Sequence, residues 1–225
     1  MTGSTEEKQL APQPKPQSAR RLRRLAAADR ERQIVDGAIR FFAEFGFAGH
    51  TRELAERIGI TQPLLYRYFK TKQALIDRVF DEVFLKRLEP RWGELIADRS
   101  RPLEERLVEF YALYSRATYT YEWIRIYMFS ALMGNDLNRR YIGIVENALL
   151  KPMCNEIRHY CGLPGADVIP VSAIELEHVW VMHGGLFYYA VRKYIYHSRV
   201  DEDFLAIARR AVVAMLKGVR ALSAN

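Results

Sequence analysis

Between Thr51 and Lys72 the chain holds two helical segments, each too short to persist alone, with one glycine, Gly59, between them. Isolated helices below about 12–15 residues are marginal in water, so both must be held by neighbours. The first carries an apolar face of Leu54, Ala55 and Ile58. The second follows Thr61, a capping residue type, and reads Gln62-Pro63-Leu64-Leu65-Tyr66-Arg67-Tyr68-Phe69. Pro63 falls in its first turn, where a missing N–H costs nothing. Gly59 permits the sharp turn, and Ile60 can plug the gap beneath it. Leu65 and Phe69, four apart, suit the inward face. Gln62, Leu64, Tyr66, Arg67 and Tyr68 are then left to face outward or sideways. From Ile60 to Lys72 there are three cations and no acid. A compact helix presenting amide, aromatic and guanidinium groups suits a DNA major groove. The plain alternative is a hairpin inside an ordinary bundle, with Tyr66 and Tyr68 as core aromatics.

The flanking pattern is helical. Asp29 is a candidate cap, and Ile34, Ala38, Phe41, Phe42 and Phe45 recur at helical spacing up to Gly46. Thr71 opens a fourth helix carrying Leu75, Ile76, Val79, Phe80, Val83, Phe84 and Leu88, with Pro90 just past its end. Further helices are expected at 91–97, 103–118, 121–133, 136–161, 172–196 and 202–223, with breaks at Gly134-Asn135, at 162–165 and at 197–200. No strand alternation or repeat is present. The expected fold is all-α, with a three-helix N-terminal helix-turn-helix domain joined to a C-terminal helical bundle, about nine helices in total. The expected organisation is a disordered basic arm at 1–28, a DNA-binding domain at 29–73, and a ligand-binding and dimerisation domain at 74–225.

Charge is placed unevenly. Of 34 Lys and Arg and 27 Asp and Glu, residues 1–88 hold 17 cations against 11 acids, most of the net +7. A local basic surplus favours a polyanion, either nucleic acid or an acidic membrane face. Arg20, Arg21, Arg23 and Arg24 form a run without acids, read either as an arm for phosphates or as a solvated lead-in. No apolar run approaches the roughly 20 residues of a membrane span, and the start has no short hydrophobic leader. A cytoplasmic setting without membrane contact is expected. Cys154 and Cys161 make no disulfide framework, and with His159 they lack paired CxxC metal spacing. No phosphate-binding glycine loop, nucleophile elbow or HExxH motif occurs. No catalytic residue, metal ligand or cofactor is therefore assigned, and a non-enzyme is expected.

Thr51-Arg52-Glu53-Leu54-Ala55, Gly59, Gln62-Pro63, Leu65-Tyr66, Tyr68-Phe69 and Lys72 together resemble the DNA-binding domain of the TetR family of repressors. The close resemblance runs from about Ile34 to Leu75; beyond Leu88 it is one of helical layout. One departure is the link 46–51, a residue shorter than is common, which leaves the start of the second helix open. The resemblance implies recognition-helix contacts at Gln62, Pro63, Leu64, Arg67 and Tyr68. It implies a base or phosphate contact at Arg52 and phosphate contacts at Tyr66 and Lys72. Thr51 and Thr61 join them at helix starts, where free N–H groups favour anions. Arg67 is the first candidate for a guanine contact.

A single short reading helix gives little specificity, whereas two about 34–36 Å apart read a near-palindromic site in double-stranded DNA. Leu205, Ala208, Val212, Met215, Val219 and Leu222 form an apolar stripe that serves equally as an internal face or a dimer seam. The resemblance implies a homodimer through the last two helices. Gly184-Gly185 inside a long helix permits either close packing or a kink beside a cavity. Dense aromatics in this half are by default core, yet buried phenols need partners. An apolar pocket for a small, mainly apolar or aromatic effector is expected, lined by Trp123, Tyr127, Met133, Trp180, His183 and Phe187. Two other classes remain open: a helical carrier or enzyme whose basic domain is not a specific DNA reader, and a nonspecific DNA-coating protein.

Overall fold

A computed structural model describes residues 16–133 and 136–223; the expected break at Gly134-Asn135 and the first fifteen residues lie outside that range. Among the described residues the chain is helical without strands, as expected. Helix α1 runs Pro16–Phe45 and ends at Gly46, whose φ of 68° only glycine adopts readily. Its start corrects the expected arm: residues 16–28 are helical, so the helix begins well before Asp29. Ala, Leu and Arg dominate that stretch and are strong helix formers, and Pro16 suits a first helical position.

Helices α2 (Thr51–Arg57) and α3 (Gln62–Tyr68) follow, then α4 (Lys72–Val83), which passes through a 3-10 turn at Leu85–Arg87. Ile34, Ala38, Leu54, Leu65, Leu75 and Val79 are fully buried where these helices meet. Close approach of α1 and α2 depends on Gly37: a Cβ there would stand 2.2 Å from the Ile58 side chain. Arg57 adds a polar clasp, bonding Glu44 at 3.1 Å and stacking over Phe45 at 4.2 Å.

The C-terminal half comprises α5 (Arg91–Ala97), α6 (Leu103–Thr118), α7 (Tyr121–Leu132), α8 (Asp136–Val145), α9 (Lys151–Tyr160), α10 (Ala173–Tyr194) and α11 (Phe204–Ser223). The single helix expected over 136–161 is α8 and α9 joined by a π turn at Glu146–Leu150. Pro152 supplies the reason, because it has no N–H for the carbonyl four residues back. The chain widens instead, with the Lys151 N–H on the Glu146 carbonyl. Short α5 is held by an ion cluster: buried Glu156 on α9 accepts from buried Arg106 at 3.0 Å and from exposed Arg99 at 2.9 Å. Ser172 caps α10 with Glu175 in a reciprocal capping box.

Two contacts tie the first and last helices to the bundle. Helix α11 packs along α6 through Ala208, Val212 and Leu216. Helix α7 packs on α1, where Arg125 donates to the carbonyls of Ala43 and Glu44, the latter at 3.3 Å. These are among the last carbonyls of α1, which have no partner within the helix. One hydrophobic cluster runs from Ile34 to Leu216, so the N-terminal helices and the bundle share a core.

Candidate nucleic-acid interface and ligand cavity

The geometry of α2 and α3 follows from three local devices. Gly59 takes φ of 69°, and the Ile60 N–H returns to the Ala55 carbonyl at 2.9 Å, which closes α2. The Thr61 hydroxyl then accepts from the Leu64 N–H and starts α3, with Pro63 in the first turn. Leu65 and Phe69 are buried and fasten α3 from below. This leaves Pro63, Tyr66 and Arg67 exposed and Gln62, Leu64 and Tyr68 half-buried at the edges. Tyr68 leans on the core, and Arg67 has no acid partner among the described residues.

Thr51 departs from its expected place. His50 occupies the N-cap of α2 and makes no side-chain cap bond. Thr51 is the first helical residue and only 8% exposed. Its hydroxyl points between the two helices, receiving the Gln62 amide at 3.1 Å and lying 3.0 Å from the Tyr66 hydroxyl. The hydroxyl expected to meet phosphate therefore holds two other candidate contacts in position. Packing of α3 across α2 determines this, and neither helix alone reveals it. Arg52 stands out in solvent beside Glu56 at 3.2 Å, an exposed i, i+4 pair that is easily exchanged for another anion. Thr71 caps α4 through the Ala74 N–H at 3.0 Å and places Lys72 at its first position.

In the bundle, the structure brings Trp123, Tyr127, Trp180, His183 and Phe187 together around one cavity of about 70 Å³. Met133 does not join them. It lies past the end of α7, 59% exposed, because the helix stops at Leu132 before its next turn reaches the core. Tyr114, Tyr141, Ile142 and Val145, which the sequence reading does not name as lining residues, complete the wall with Gly184, one of the two glycines read as permitting a cavity. A usable signal existed for two of them, since Leu137, Tyr141 and Val145 recur every four residues on α8.

The cavity's polar groups are largely satisfied internally. The Tyr114 and Tyr141 hydroxyls lie 3.1 Å apart, and burial pushes both phenols above their ordinary range. The Tyr111 hydroxyl lies 3.3 Å from His183 Nδ1. Burial without a counter-charge lowers His183 to about 4, so it is neutral near pH 7. The Trp123 indole N–H is buried and has no partner among the described residues. Elsewhere, Cys154 is a buried thiol pushed up to about 11 by burial. Among the described residues no three His, Cys, Asp or Glu side chains gather as a metal site would require.

The apolar stripe of α11 divides. Ala208 and Val212 face α6 and are buried, whereas Met215, Val219 and Leu222 line an open groove shared with Val181, Met182 and Gly185 of α10. Leu205 is exposed. On α10, Ile174, Val181 and Tyr188 recur every seven residues and all are exposed. Among the described residues no helix is long and apolar enough to cross a membrane.

Comparison with known proteins agrees with this geometry. Residues 34–79 match the family of bacterial regulatory proteins called tetR. The chain is 38% identical over 63 residues to the tetracycline repressor protein class D of Escherichia coli, covering 28% of each chain. It is 28% identical over 111 residues to the HTH-type transcriptional repressor KstR2 of Mycolicibacterium smegmatis, covering 49% of this chain and 54% of the other. The match thus spans between about a quarter and a half of these relatives. A solved tetR-family transcriptional regulator from Streptomyces coelicolor superposes with a TM-score of 0.59 at 18% identity, over 87% of this chain and 83% of that one. This last likeness shows the shared fold.

Proposed function

We propose, on the premise that residues 34–79 are a DNA-binding domain of the TetR family, that the chain is a cytoplasmic, homodimeric transcriptional repressor. It binds a near-palindromic operator and is released by a small, mainly apolar or aromatic ligand. One observation carries the reading: α3 offers Gln62, Pro63, Leu64, Tyr66, Arg67 and Tyr68 on its accessible side, with Leu65 and Phe69 anchored beneath. Arg67 and Gln62 read base edges, and Arg52, Tyr66, Thr61 and Lys72 meet phosphates or flanking bases. Thr51 acts by positioning Gln62 and Tyr66. The domain boundary near residue 73 separates the reader from the ligand-binding and dimerisation helices.

The exposed seven-residue repeat on α10 and the open groove against α11 support a second copy as their occupant. Two such faces form a four-helix contact with twofold symmetry, which an inverted repeat requires. Helix α7 supports the link between ligand and DNA. Trp123 and Tyr127 lie on its cavity face, while Arg125 and Phe129, two residues on, meet the end of α1. A ligand that moves α7 thereby shifts the population of head spacings.

Selection of bound sequences from a random double-stranded DNA pool tests the reading. Recovery of an inverted repeat is expected. Absence of enrichment at moderate salt would refute it in favour of nonspecific binding or no DNA role.

A further inference from the structure

Six side chains, Trp123, Tyr127, Tyr141, Trp180, His183 and Phe187, make most of the wall of the bundle cavity. None is an acid or a permanent cation, and neither are the other residues that complete the wall. A carboxylate or an ammonium would therefore enter a site with no counter-charge in its wall, which is unfavourable. The Tyr114 and Tyr141 hydroxyls are paired with each other at 3.1 Å, which spends one of their two O–H donors. Trp123 differs: it is 1% exposed, and its indole N–H is a strong donor with no acceptor among the described residues. A buried donor left unpaired is a standing cost that an incoming acceptor removes. Trp123 and Tyr127 are stacked at 5.0 Å with 13° between their planes, and Phe187 stands at 71° to both. Such walls favour a flat ring, by stacking against one face and meeting an edge at another.

We infer that this cavity takes a small, uncharged aromatic molecule bearing one hydrogen-bond-accepting oxygen, an aryl ketone being the simplest case. The inference rests on the reading of the bundle as an effector domain and names the class of effector. The volume of about 70 Å³ is the space open before any side chain moves. It is about half the ~150 Å³ that holds benzene in an engineered apolar cavity. One ring therefore enters only as Tyr127 and Phe187, both half-buried, give way. Gly184 offers open space at the wall, where a Cβ would meet no atom within 4 Å.

The test uses the full-length protein without DNA and four single-ring probes of similar size: acetophenone, ethylbenzene, benzoate and benzyltrimethylammonium. Isothermal titration gives their affinities. Acetophenone is expected to bind about tenfold tighter than ethylbenzene, the effect of one hydrogen bond to a buried donor, and neither ion to bind. Trp123→Phe removes the donor and is expected to bring acetophenone down to ethylbenzene. Gly184→Leu fills the open space and is expected to abolish binding of both neutral probes. Either ion binding as well as acetophenone would overturn the inference, as would a preference that survives Trp123→Phe, or no binding by any probe. If Trp123→Phe melts early in circular dichroism, the wild-type ranking and the Gly184→Leu loss decide the question together. Because DNA is absent, failure here leaves the operator reading intact, and a failed operator selection leaves this ranking unaffected.

Discussion

The hydroxyl of Thr51 on α2 lies 3.0 Å from the hydroxyl of Tyr66 on α3, and the Gln62 amide donates to the same Thr51 oxygen at 3.1 Å. One buried atom thus sets the relative placement of two outward-reaching side chains. Thr51→Val keeps the shape and removes that oxygen. Operator affinity is expected to fall about tenfold, with about 1 kcal/mol lost from folding stability. Fluorescence anisotropy on the selected operator, beside urea denaturation, checks both. Thr51→Ser should restore most of the binding; a serine variant as weak as valine would show that packing, and not the hydroxyl, matters.

Arg67 stands on the exposed side of α3 without an acid partner among the described residues. Arg67→Ala is expected to relax preference at one base position per half-site by about 1–3 kcal/mol. The measurement is affinity across a set of operators changed one base pair at a time. Uniform weakening across the set would assign Arg67 to the phosphate backbone instead.

Val181 is 73% exposed at the middle of the seven-residue repeat on α10. In a lone chain a lysine there sits in water at little cost. In a twofold interface it brings two like charges together out of water, so Val181→Lys is expected to weaken dimerisation at least about tenfold. Sedimentation of wild type and variant reads the difference, and the variant should keep the wild-type melting profile at monomer concentrations. Unchanged association would move the dimer seam elsewhere.

His183 connects the cavity to pH. Burial lowers its pKa from 6.5 to about 4. Between those values the unfolded chain binds more protons than the folded one, so stability rises with pH. The contribution is fully present above about pH 6.5 and declines towards pH 4, by up to about 3 kcal/mol. Urea midpoints measured from about pH 7 to about pH 4.5 should fall for the wild type and flatten for His183→Asn. A variant that keeps the full slope would assign the dependence to other groups, such as Glu156 and Glu175, whose arginine partners hold them low.

Features set by nearby residues were legible in the sequence. The turn at Gly59, the Thr61 cap, the inward Leu65 and Phe69, and the termini of α5 and α6 depend on contacts a few residues apart. The start of α1 was misplaced because a polar, arginine-rich stretch serves equally as a solvated arm and as a helix, and Ala and Leu between the arginines favour helix. The π turn was missed although its cause, Pro152, was visible. A proline in a helical pattern signals a disruption without saying whether the chain kinks, stops or widens.

By itself, the sequence determined that this chain is helical and that its basic part carries two short helices joined by a glycine turn. Helix periodicity, caps and turns are local and survive whatever packs around them. Tertiary structure decided what those helices offer. It turned the Thr51 hydroxyl inward, split the α11 stripe between a buried and an open face, left Met133 outside, and brought Trp123 together with Trp180 and His183. Partners so distant along the chain meet only through the crossing of α7, α8 and α10. That crossing is set by the summed packing of all the helices, which no single segment encodes.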